Sequence, residues 1–151
     1  MIAKLSPGFA KRIEVTNLHQ LARTICLRSD WRGRIADEQE QADLWTAVLQ
    51  SADLGEFGLD FVKDEYQSVI DTMGIDTEED YLTVVRTGRP KLSRQQRRTL
   101  WPIYLNFNRL LQKRGLLTFE GTVHQARMIV ENGGFTAFRH VLVRTSYFSF
   151  T

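Results

Sequence analysis

Ser93–Gly115 reads SRQQRRTLWPIYLNFNRLLQKRG, and this stretch decides the fold. Leu100, Tyr104, Phe107 and Leu111 recur at intervals of four, three and four, which places them on one face of a helix. Ser93 with Gln96 three residues on forms a capping box, and Gly115 is a C-terminal stop. The run is long enough for about six helical turns. Pro102 falls deep inside it, where proline removes an N–H and crowds the preceding turn. The sequence therefore predicts a kink near Leu100 or a split helix.

Toward the C-terminus, Phe119 to Glu131 predicts a sixth helix stopped by Gly133-Gly134, followed by HVLV (140–143) as an apolar strand. Toward the N-terminus, TGRPK (87–91) reads as a loop, because Gly88 and Pro90 both resist helix. Thr77 caps a short helix, EEDYLTVVR, whose acidic first turn suits the positive end of the helix dipole. Asp60 to Met73 predicts a helix with Val62, Tyr66, Val69 and Ile70 inward and Gly74 as its stop. Asp37 with Glu40 opens another, with Leu44, Trp45, Val48 and Leu49 inward and Gly55 at its end. Before it, SDWRGR is a polar turn. Asn17 caps the first helix, in which Leu18, Leu21, Ala22 and Ile25 fall on one apolar face, and RIEV (12–15) reads as a short strand. The expected fold is mainly α: one domain over residues 1–151, an irregular bundle of about six helices with short strands near both termini.

Hydrophobic residues make up 42% of the 151 and charged residues 25%, an ordinary globular balance. No apolar run approaches the ~20 residues needed to span a bilayer, and no secretory signal is evident. A single cysteine, Cys26, cannot form an internal disulfide, and a buried, inert thiol is expected. These features fit a reduced cytoplasmic compartment and no membrane partner. His124 and His140 are too isolated to suggest a metal site, so no cofactor is expected.

The net charge of +2 conceals a strong polarity. Residues 37–80 carry fourteen acids against Lys63 alone, whereas residues 86–114 carry nine Lys/Arg and no acid. Arg86, Arg89, Lys91, Arg94, Arg97 and Arg98 form the densest basic cluster, and the last three share a helical face. Two readings stand side by side: phosphate contact with a polyanion, or neutralisation against the acidic stretch. Trp31, set among Arg28, Arg32 and Arg34, is a candidate base-stacking residue, whereas most other aromatics at helical spacing read as core.

Three stretches taken together resemble the UvrD/Rep group of superfamily I DNA helicases. VTNLHQLA (15–22) is similar to a strand-to-helix motif built on Thr, an aromatic and His. Residues 74–130 resemble the helical insertion of the first motor domain, and FRHVLV (138–143) resembles the strand leading into the Walker B motif. The resemblance implies that Asn17 and His19 lie where relatives contact single-stranded DNA, with the basic cluster as a second contact. It also implies ATP-driven unwinding with Mg²⁺ in a full-length relative.

Departures from the family pattern decide what this chain is expected to do. Arg144-Thr145 stand where the family has Asp-Glu, the carboxylates that hold Mg²⁺ and activate water. No Gly-rich loop ending in Gly-Lys-Ser/Thr is present to cradle phosphates. Asn17 replaces the usual Thr, Thr118, Glu120 and Gly121 stand in place of an acidic run, and the tail 144–151 is atypical. The expectation is a helicase-like DNA-binding fragment without ATPase activity, and not an enzyme. A protein-interaction module using the acidic 37–80 surface, or an inactive remnant, is the alternative. An exposed terminal strand would favour a homodimer that covers its edge.

Overall fold

The computed structural model describes residues 16–29 and 31–135. The predicted strands at 12–15 and 140–143, the tail after them, and the terminal edge expected to drive dimerisation lie outside the described residues. Six helices occur among those described: α1 (Leu18–Arg28), α2 (Glu38–Leu49), α3 (Leu59–Glu65), α4 (Glu78–Thr83), α5 (Arg94–Lys113) and α6 (Phe119–Glu131). The fold is mainly α, a helical bundle with two very short strands.

Local chemistry sets the helix starts. The Asn17, Asp37, Thr77, Ser93 and Thr118 side chains each accept a hydrogen bond from a first-turn backbone N–H, satisfying a donor the helix cannot pair internally. Asp37/Glu40 and Ser93/Gln96 both form complete capping boxes.

Packing centres on α5. Its Leu100, Ile103, Tyr104, Phe107 and Leu111 bury against Leu44, Trp45 and Val48 of α2, Val62 of α3, and Tyr81 of α4. Trp45 stacks on Phe107 with ring centroids 4.0 Å apart, and Tyr66 meets both rings edge-on. A smaller second layer joins α1 to α6 through Ala22, Ile25, Cys26 and Ala126, whereas Leu18, expected on the same apolar face, is 61% exposed in the first turn of α1, ahead of this layer. Cys26 is buried with a free thiol, and burial raises its pKa.

Helix α5 runs unbroken through Pro102, with no split. Pro102 lies on the solvent side of the helix. There the Arg98 carbonyl, which proline leaves without its intrahelical donor, can turn to water. The predicted third helix forms, but α3 passes directly into a π-helical segment, Tyr66–Asp71. The Thr72 N–H and hydroxyl both donate to the Gln67 carbonyl five residues back. Just beyond, Gly74 adopts φ +63°, and a Cβ there would sit 2.4 Å from the His124 ring.

Two boundaries differ from the sequence reading. Helix α4 stops at Thr83 instead of continuing through Val84–Arg86, because Val84 is extended at φ −57° and ψ 138°. The strands are β1 (Arg34–Ile35) and β2 (Leu116–Leu117), paired in parallel, where a turn and a helix end were expected. The Arg34 N–H donates to the Gly115 carbonyl at 3.0 Å, and the Ala36 N–H donates to that of Leu117 at 2.8 Å. This clip ties the entry to α2 to the entry to α6.

Candidate nucleic-acid interface

Val62, Glu65, Tyr66 and Val69 follow helical spacing, so the face that buries the three apolar or aromatic residues also carries Glu65 inward. A carboxylate removed from water must be paired and hydrogen-bonded. Glu65 is 0% exposed, and the extended backbone after α4 delivers its partners. Arg86 donates from Nε and Nη2 to the two Glu65 oxygens, each at 2.6 Å. Arg89 donates from Nε to Glu65 at 3.0 Å and from Nη2 to Asp64 at 2.5 Å. The Tyr81 hydroxyl adds a fourth hydrogen bond to Glu65, at 3.1 Å. Burial, and next the Glu65 charge, push the Tyr81 phenol above its ordinary range, so it remains a donor at neutral pH. The Arg89 hydrogen bond holds Asp64 below the usual carboxylate value.

The predicted basic cluster therefore divides in two. The Arg86 side chain is only 3% exposed, and its Nη1 also donates to the Pro90 carbonyl. Arg97 donates from Nη1 to the carbonyls of Tyr81 at 2.6 Å and Val84 at 3.1 Å, closing the C-terminus of α4. Arg86 and Arg89 are thus neutralised against the acidic segment, while Arg97 is held by backbone carbonyls and keeps its charge. The Arg94 side chain is 62% exposed and lies 3.7 Å from Glu79, which is 74% exposed, a contact of little energetic weight. Lys91 and Arg98 are exposed, with no ion pair among the described residues.

The outward side of α5 carries a feature that counting charges missed. Arg94, Arg98, Pro102, Asn106, Arg109 and Lys113 are all exposed, and at 100° per residue they fall within one third of the helix circumference. Four of these six are cations, and α5 contains no acid. The stripe spans about 28 Å at a rise of 1.5 Å per residue. The spacing of 94, 98, 109 and 113 is the sequence signal for Arg109 and Lys113, which lie outside the dense cluster of residues 86–98.

Asn17 and His19 lie elsewhere, in a recess of about 200 Å³ between α1 and the start of α6. The Asn17 side chain is committed to capping, accepting from the Gln20 N–H at 2.8 Å. The His19 ring stacks on Phe119 at 4.0 Å, with its Nε2 3.4 Å from the Glu120 carboxylate. Neither residue shares a recess with the basic cluster. Trp31 is half-buried against the α1–α6 layer, which removes most of its face from any base. Among the described residues no group of three or more His, Cys, Asp or Glu is placed to hold a metal ion, and no helix is long and apolar enough to cross a membrane. No family model, curated protein or solved structure matches this chain.

Proposed function

We propose that this chain is a non-catalytic DNA-binding module, related to UvrD/Rep-type helicases, that meets single-stranded DNA along the exposed face of α5. The supporting observation is the acid-free stripe of Arg94, Arg98, Arg109 and Lys113. Cations on a rigid helix release counterions from a phosphate backbone without reading base sequence. Within each end of the stripe the cations lie one turn apart, about 6 Å along the axis, and flexible Lys and Arg stems let each head reach its own phosphate. Arg86 and Arg97 serve this surface indirectly, by anchoring the loop and the helix that precede α5.

Anisotropy of a labelled single strand, repeated across salt concentrations, tests this reading. Four phosphate contacts give a log–log salt slope of about −3. The Arg98→Glu/Arg109→Glu variant should bind far more weakly and with a shallower slope, whereas Lys63→Glu on α3 should leave both nearly unchanged. Absence of binding at low salt, or equal effects of the two charge reversals, rejects the α5 interface.

A further inference from the structure

A second recess, of about 290 Å³, opens between the 84–92 loop and the start of α5, with Arg86, Arg89, Lys91 and Arg97 in its lining. Val84 and Leu92 contribute apolar wall. Four cations meet there, and the carboxylates bonded to them are Glu65 and Asp64. The local balance is therefore an excess of two positive charges. From this convergence we infer a binding site for a phosphate monoester, the terminal phosphate of the same DNA strand that lies along α5. The inference rests on the α5 reading for its choice of strand end, but the anion site stands on its own geometry.

Three features favour this ligand class. A monoester carries close to two negative charges at neutral pH, matching the local excess, whereas an internal phosphodiester carries one. Arg86, Arg89 and Arg97 are already fixed by Glu65, Asp64 and backbone carbonyls, so little side-chain freedom remains to be lost when an anion arrives. Donors also remain: Arg97 uses only Nη1 in its carbonyl contacts, Arg89 uses only Nε and Nη2, and Lys91 has no ion-pair partner among the described residues. Guanidinium groups with free N–H donors suit phosphate oxygens. The recess also borders the N-terminal end of the basic stripe, because Arg97 lies one turn beyond Arg94 on α5. A strand lying along α5 can end in it.

The test has two arms, both in phosphate-free buffer at low salt. In the first, inorganic phosphate is titrated into the full chain while arginine side-chain NMR signals are followed. Saturable shifts at Arg89 and Arg97 that Lys91→Glu weakens support the anion site, and their absence overturns it whether or not DNA binds α5. In the second, oligonucleotides of one sequence ending in phosphate or hydroxyl are compared by anisotropy. A preference for the phosphorylated end on the order of tenfold, lost in Lys91→Glu, is expected for added charge-assisted hydrogen bonds. Saturable phosphate binding without a preference between strand ends overturns the strand-end assignment and identifies a free phosphate or nucleotide as the occupant. Failure of both oligonucleotides to bind rejects the α5 interface and the strand-end assignment together, and leaves the first arm to decide the anion site.

Discussion

Arg86 and Glu65, twenty-one residues apart, form a two-pronged ion pair whose side chains are 3% and 0% exposed. It joins the acidic middle of the sequence to its basic centre. The pair fixes the path of the loop between α4 and α5, because Arg86 also donates to the Pro90 carbonyl. Arg86 and Arg89, with Glu65 and Asp64, are thus the part of the chain's charge polarity that is consumed in holding the fold.

Removing one member leaves the other charge buried. Glu65→Ala should lower unfolding free energy by about 3–5 kcal/mol in urea titrations, since Arg86 loses both carboxylate bonds. Replacing both residues with apolar groups, as in Glu65→Leu/Arg86→Met, should cost less than Glu65→Ala alone. A cost under about 1 kcal/mol for the single change, the usual range for exposed pairs, would show that the pair is hydrated in solution.

Stability and binding should separate on the two kinds of arginine. Arg86→Gln is expected to lower the melting temperature markedly, while Arg98→Gln should leave it almost unaltered, because surface changes away from buried networks are usually within about 0.5 kcal/mol. Single-strand affinity should fall in Arg98→Gln. Calorimetry and anisotropy on the same two variants check the pattern, and the reverse pattern contradicts it.

Asp71 offers a test in pH. Burial raises its carboxyl above the ordinary 3.8, against the opposing effect of the 2.6 Å hydrogen bond donated by Thr118. A raised acid favours the protonated fold, so its contribution is full below the unfolded value and is lost as pH rises through the folded one. Asp71→Asn keeps an acceptor for Thr118 without the buried charge. Its urea midpoint should match or exceed that of the parent at pH 7 and lose this advantage near pH 3. A midpoint lower at pH 7 than at pH 3, relative to the parent, would refute the burial effect.

Gly74 combines a left-handed backbone with a ring against its open side. Gly74→Ala meets both strain and the His124 ring 2.4 Å away, and should destabilise by about 1–3 kcal/mol. Chemical denaturation provides the value. If the loss exceeds that of alanine at Gly88, where φ is +73° but nothing lies within 4 Å, the ring contact is the added cause.

The sequence alone determined where the helices start and the inner face of α5, because capping and the spacing of Leu100, Tyr104, Phe107 and Leu111 are local properties of a few turns. It also carried the stripe of Arg94, Arg98, Arg109 and Lys113, which needs only the helix period to be seen. Tertiary structure alone decided which charges remain free. The choice between solvent and Glu65 for Arg86 depends on contacts across twenty-one residues and on the extended turn at Val84, which local spacing does not encode. The parallel clip of Arg34–Ile35 with Leu116–Leu117 was hidden for the same reason, since two-residue strands carry no period and form only when distant segments are brought together.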